Sequence, residues 1–237
     1  HVDVMIPAGR RARGSTKQQA AGHAHGAPGH HPGRSYTSIV RLLEKAKLSG
    51  EVRDGALAAF EALGRAEARV HGTELAKVHF HEVGAVDAIV DIAGAAVGIK
   101  ALGVSHVTCT PVALGHGRVD TAHGPLPLPA PATLELLKGV PTTPANVAWE
   151  TVTPTGAALL RTWVDEFRQL PAMTPVAIGL GAGGDREGPM PNVLRAVLGT
   201  DGGPGWDRIV SLETNLDDLV PEHFDHPSHR PARRYRP

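Results

Sequence analysis

Apolar positions fall at helical spacing twice in the first half of the chain. Ile39, Val40, Leu42, Leu43 and Ala46 mark a helix over about 35–48, and Val52, Ala56, Phe60, Leu63 and Val70 mark a second over about 50–71. Gly72 follows the second at the position where glycine commonly ends a helix. A short link between them predicts that the two helices pack as a pair. From about Ala85 to Leu102 the chain is apolar nearly all round, apart from Asp87, Asp91 and Lys100, and this predicts a buried helix. The β-branched stretch 106–114 reads as one strand, 115–129 as irregular Gly/Pro-rich chain, and 150–153 as a short strand. Pro131 opens a helix to Leu137, and Thr153 caps a helix from Pro154 to about Phe167. Strands are predicted over 174–183, 192–199 and 207–215. The resulting fold class is α/β (or α+β): a mixed sheet with packed helices.

Two segments lack any such pattern. Residues 7–34 are rich in Gly, Ala, Arg and His, which predicts a flexible loop. The last fifteen residues read as a solvated tail. The expected organisation is therefore a strand remnant plus loop over 1–34, a core domain over 35–222, and a tail over 223–237. Because the chain starts at His1, inside a strand-like "HVDVMI", it reads as a truncated fragment.

Composition narrows the chemistry. The 237 residues suffice for a real core, but aromatics make up only 4%, so that core rests on Ala, Val, Leu and Ile. Net charge is zero, which points to neither a nucleic-acid nor a membrane partner. Cys109 is the single cysteine, so no disulfide forms within the chain and no cysteine-based zinc site is possible. A reducing cytoplasm is the simplest setting.

The densest candidate chemistry is "VHFHEVGAVDAIVD" (78–91), with two histidines and three carboxylates among fourteen residues. In an extended 78–81, His79 and His81 share a side, and in a helix Asp87 and Asp91 lie one turn apart. Carboxylates on a buried helix need a cationic partner, either a basic side chain or a metal. His79, His81, Glu82, Asp87 and Asp91 are the candidate metal ligands. His81 and Glu82 are also candidate proton-transfer groups, against the plainer reading of a structural Asp–Arg pair.

Four further stretches carry weaker signals. "GHGRVDTAHGPLPLPAPAT" (115–133) holds His116 and His123 in a glycine-rich loop, and His123 is a candidate catalytic residue or a histidine bonding backbone. "TVTPTGAAL" (151–159) offers Thr153, Thr155 and Gly156 at a helix start, as a phosphate seat or simply a good cap. "GLGAGGDREGPMPN" (179–192) has no helix predicted after it, so it reads as a turn between strands rather than a dinucleotide fingerprint. Glu213, Asp217 and Asp218 in "ETNLDD" either bind a divalent cation or form an acidic turn. The loop histidines His23, His25, His30 and His31 are either a solvated linker or a metal-capture arm.

In order and spacing, "VHFHEVGAVDAIVDIAGAA", "TAHGPLPLPAPATLELLKGVP", "VTPTGAALL", "GAGGDREGPMPNVLR" and "ETNLDD" closely resemble the LarC family, over roughly residues 35–222. The resemblance implies nickel-pincer cofactor biosynthesis. Ni(II) enters pyridinium-3,5-bisthiocarboxylic acid mononucleotide, bonded to two sulfurs and a ring carbon, in a reaction using CTP with Mn(II) or Mg(II). The product serves lactate racemase-type enzymes, whose apoenzyme is then a possible partner, alongside self-association. The resemblance also implies an N-terminal turn and a C-terminal domain that this chain lacks. Two other classes fit the same residues: a non-catalytic nickel carrier using the histidine tract, and a metal-dependent hydrolase.

Overall fold

The computed structural model describes residues 33–80, 86–121, 124–183, 192–200 and 208–214. The tail and all of the proposed loop but Gly33 and Arg34, including the histidine tract, lie outside them; Arg34 belongs to a strand rather than to the loop.

The first strand, β1 (Arg34–Ser35), runs into α1 (Tyr36–Lys45), where the Ser35 hydroxyl accepts the Ser38 N–H and caps the helix. Then comes α2 (Gly50–His71) over the expected residues. It ends where Gly72 adopts a left-handed φ of 62°, a conformation that costs glycine little. A 3-10 turn (Leu75–Lys77) leads to β2 (His79–Phe80), which pairs antiparallel with β1. The third helix, α3, spans Val86–Leu102.

The expected single strand over 106–114 is two: β3 (His106–Cys109) and β4 (Val112–Leu114), interrupted at Thr110–Pro111. The segment expected to be irregular contains an antiparallel ribbon, β5 (Gly117–Thr121) with β6 (Gly124–Leu128). Pro125 and Pro127 sit inside β6, where proline normally argues against a strand. In a two-stranded ribbon each strand has an open edge, so a missing N–H can face outward. Next, α4 (Pro131–Leu136) is followed by β7 (Thr142–Pro144), parallel to β4.

Residues 150–153 are not a strand. The Thr151 hydroxyl instead donates to the Ala113 carbonyl at 2.7 Å and accepts the Gly115 N–H at 2.9 Å, tying this stretch across β4. The fifth helix, α5 (Pro154–Trp163), stops short of Phe167, because Glu166–Phe167 forms β8 beside β3. The chain closes with β9 (Thr174–Ala182), β10 (Val193–Thr200) and β11 (Arg208–Thr214).

The main sheet has the order β8-β3-β11-β10-β9. Its β8, β3 and β11 are parallel, while β10 and β9 are antiparallel to their neighbours, so the sheet is mixed as expected. The main core lies between the helices and one face of this sheet. Ile39, Leu43, Phe60, Leu63, Ile92 and Cys109 are fully or almost fully buried there, with Leu212 packed against them. Phe60 and Phe80 meet with ring centroids 6.2 Å apart, a tilted geometry that favours aromatic pairs. This contact anchors β2 to α2, immediately before the stretch of candidate ligands.

Candidate functional site

With Phe80 buried, strand alternation turns its neighbour away from the core, and His79 is exposed, opposite Ser35. His81 and Glu82 lie outside the described residues. The next described residue is Val86, at the start of α3.

The expectation that α3 is buried all round does not hold. Only Ala88, Ile89, Ile92 and Ala96 are buried, a single stripe, while Val97 and Leu102 are exposed. Ala and Gly at 93–96 and 98 supply little area, so the apolar composition of the helix overstates what it buries. Asp87 and Asp91 stand on the solvent face, one turn apart, and Asp87 accepts the Ala88 N–H at 2.8 Å. Hydration alone satisfies them, so the argument that buried carboxylates demand a cation no longer applies. What the structure supplies is an exposed pair of carboxylates on α3 and an exposed imidazole on β2. Imidazole nitrogen and carboxylate oxygen suit Ni(II) among other divalent ions. Among the described residues no three His, Cys, Asp or Glu side chains cluster closely enough to hold a metal ion.

His123 also lies outside the described residues. Its flanking residues Thr121 and Gly124 are paired at the end of the β5–β6 ribbon, and the Thr121 hydroxyl donates to the Gly124 carbonyl at 2.8 Å. His116 is exposed, and its N–H donates to the Val147 carbonyl at 2.9 Å.

At the start of α5 the Thr153 hydroxyl accepts the Gly156 N–H at 3.1 Å. Pro154 has no N–H to offer. Thr155 therefore supplies the one first-turn N–H without an acceptor among the described residues, and an anion there would meet one donor rather than the usual several.

A stronger anion environment lies toward the other end of the same helix, and sequence spacing did not reveal it. Arg65 and Arg69 of α2, Lys138 after α4 and Arg161 of α5 line a cavity of about 240 Å³, against one lining carboxylate, Glu135. Arg69 donates to Glu135 at 2.7 Å, and Lys138 also pairs with it. Hydrogen bonds from Lys138 and then Arg69 hold the Glu135 carboxyl below its ordinary range. Arg65 pairs with Glu61 at 2.6 Å. The only hint in the sequence is the one-turn spacing of Arg65 and Arg69, whereas Lys138 and Arg161 arrive through tertiary packing.

Glu213 is not a free cation ligand. It is buried and paired with Arg195 across β10–β11, so its charge is already matched. Asp217 and Asp218 lie outside the described residues. Cys109 is buried in the core, and burial pushes its thiol up to about 11, which removes it from metal or redox chemistry at neutral pH. The glycine-rich 179–182 lies within β9, which pairs with β10, and the rest of that motif, 184–191, lies outside the described residues.

A family described as nickel insertion protein matches residues 2–230. Among curated relatives, the "Putative nickel insertion protein" of Geotalea uraniireducens (strain Rf4) is 48% identical over 194 residues, covering 81% of this chain and 50% of the relative. The protein of the same name from Geobacter metallireducens (strain ATCC 53774 / DSM 7210 / GS-15) is 46% identical over 198 residues, covering 83% and 51%. The "Pyridinium-3,5-bisthiocarboxylic acid mononucleotide nickel insertion protein" of Nocardioides sp. (strain ATCC BAA-499 / JS614) is 50% identical over 189 residues, covering 79% and 48%. The chain thus spans about half the length of the curated relatives it matches. No solved structure matches it. With a family match along nearly its whole length and relatives at this identity, the chain belongs to the nickel insertion protein family.

Proposed function

We propose that this chain takes part in inserting Ni(II) into pyridinium-3,5-bisthiocarboxylic acid mononucleotide. The observation that carries the proposal is the 50% identity, over 189 residues, to a relative named for that reaction. The accessible donors around β2 and α3 support it. Nickel is the cargo, and it must be held yet released. Imidazole and carboxylate donors allow release, whereas a thiolate cage would hold the ion harder. In this reading His79, Asp87 and Asp91 receive nickel together with His81 and Glu82. Bonding nickel to the ring carbon expels a ring proton, and His81, Glu82 or His123 accepts it.

The mononucleotide carries a phosphate, and the cavity of Arg65, Arg69, Lys138 and Arg161 is its seat. The single open N–H at Thr155, with Thr153 and Gly156 beside it, is the weaker alternative. We assign CTP with Mn(II) or Mg(II) as co-reactants, and with them a lyase-type chemistry. A lactate racemase-type apoenzyme receives the product, and the setting is cytoplasmic. Among the described residues no helix is long and apolar enough to cross a membrane.

The test uses purified mononucleotide, Ni(II) and CTP, with the Nocardioides relative run in parallel and nickel adduct followed by mass spectrometry. A chimaera of that relative carrying residues 33–214 of this chain should form the adduct and lose it on His81→Ala or Glu82→Gln. A folded but inactive chimaera beside an active relative refutes the assignment to this chain. Failure of both the relative and the chimaera refutes the reaction.

A further inference from the structure

At one edge of the main sheet, all nine residues of β9 are exposed. Val176, Ile178 and Leu180 keep 65%, 67% and 48% of their surface in contact with solvent. Their backbone groups are open too. The Gly183 N–H donates to the Asn192 carbonyl at 2.9 Å, so Ala177, Gly179 and Gly181, in register with it, turn their polar groups toward β10. The groups of Ile178, Leu180 and Ala182 therefore point away from the sheet, with no acceptor or donor among the described residues. A long apolar edge invites pairing, and natural proteins blunt such edges with charges, prolines or covering segments. No charged residue lies in Thr174–Ala182, and its one proline, Pro175, sits near the start, beyond the bulge that sets Val176 opposite the Leu198–Gly199 step.

The strand also has an internal symmetry. About Ile178, Val176 mirrors Leu180 and Ala177 mirrors Gly179. Antiparallel pairing with its own copy places large apolar residues against large ones and small against small. A two-fold interface requires this self-complementarity, and a different partner strand would give no reason for it. The lack of charge means that two copies do not repel each other along the edge.

We propose that β9 pairs antiparallel with β9 of a second copy of this chain, with the two-fold axis at Ile178. The two five-stranded sheets join into one of ten strands. Ile178 then faces Ile178 of the other copy, and Val176 faces Leu180.

Light scattering after size exclusion tests this on the 237-residue chain. The mass should be twice 24.8 kDa at high concentration and fall toward 24.8 kDa on dilution. Ile178→Lys should give monomer at every concentration and melt at the temperature of the diluted, monomeric parent, since the side chain is mostly exposed. Cysteine cross-linking reads the register. Bonded antiparallel pairs hold Cα atoms about 5.5 Å apart, within the span of a disulfide. Under oxidised glutathione, Ile178→Cys should therefore cross-link to itself. Val176→Cys and Leu180→Cys should cross-link when mixed and not when alone. Buried Cys109 serves as the internal control. A monomer at all concentrations, a dimer that survives Ile178→Lys, or Val176→Cys cross-linking alone as fast as Ile178→Cys overturns the proposal.

Discussion

Replacing Gly115 with alanine tests how the glycine-rich stretch before β5 is held. Gly115 is buried, and a Cβ added there would stand 1.9 Å from the Trp149 carbonyl oxygen and 3.2 Å from that of Val147. Real Cβ atoms essentially never come within 3.0 Å of such an atom, so the two backbone segments must separate by roughly 1 Å. Three hydrogen bonds cross that gap: Gly115 N–H to the Thr151 hydroxyl at 2.9 Å, that hydroxyl to the Ala113 carbonyl at 2.7 Å, and His116 N–H to the Val147 carbonyl at 2.9 Å. Weakening them costs about 1 kcal/mol each. Forcing extra volume into packed structure adds about 1–3 kcal/mol. The sum is about 4–6 kcal/mol if all three break, and about 3 kcal/mol if the strap relaxes and keeps one or two. At about 2–4 °C per kcal/mol for a domain of this size, the melting temperature should fall by roughly 10 °C or more. Thermal denaturation followed by circular dichroism reads this directly. Thr151→Val, which removes two of the bonds without a clash, should fall between Gly115→Ala and the parent. A Gly115→Ala protein melting within 2 °C of the parent would refute the close approach of residues 147–151 to β4.

Further outcomes follow from the core and the charged cavity. Phe60→Ala, which deletes a fully buried ring packed on Phe80, should cost about 3–5 kcal/mol in urea unfolding and loosen β2 at the candidate site. Cys109 should resist iodoacetamide at pH 8 in the native protein and react fully in denaturant, because its thiol is buried and raised to about 11. Glu135 titrates below its ordinary range, so the unfolded chain takes up the proton first as pH falls. The stabilisation from its Lys138 and Arg69 pairs is thus present above its unfolded pKa and lost below it. Glu135→Gln should flatten the pH dependence of the melting temperature on the acid side. If the same cavity seats phosphate, Arg161→Ala and Arg65→Ala should each weaken inorganic phosphate binding by calorimetry, while Thr155→Ala should not.

Sequence carried the helices well where period and punctuation agreed. The apolar spacing of α2 and its closing Gly72 placed both ends, and Thr153-Pro154 placed the start of α5. It failed where tertiary contacts decide. Thr151 looks like part of a strand, but its hydroxyl bridges two backbone groups of β4 and the following turn. Prolines hid β6, because a local rule cannot see that both strands of a ribbon have a free edge. The order of the main sheet, with β11 between β3 and β10, depends on pairings more than a hundred residues apart. At the site, sequence pointed to β2 and the start of α3. It misjudged why Asp87 and Asp91 are there, because alanine and glycine made a half-exposed helix look buried. The basic cavity was invisible because its four cations come from three separate segments.

The most direct test of the central claim is a nickel titration of this chain by equilibrium dialysis at neutral pH. The variants are His79→Ala, His81→Ala, Glu82→Gln, Asp87→Asn and Asp91→Asn, together with a deletion of residues 20–34. If nickel is received between β2 and α3, His81→Ala and Glu82→Gln should each weaken binding by roughly ten-fold or more, in line with the loss expected from disturbing a metal site. The deletion, which removes the histidine tract, should leave binding essentially unchanged. Binding abolished by the deletion and intact in His81→Ala would contradict the account and assign nickel to the histidine tract.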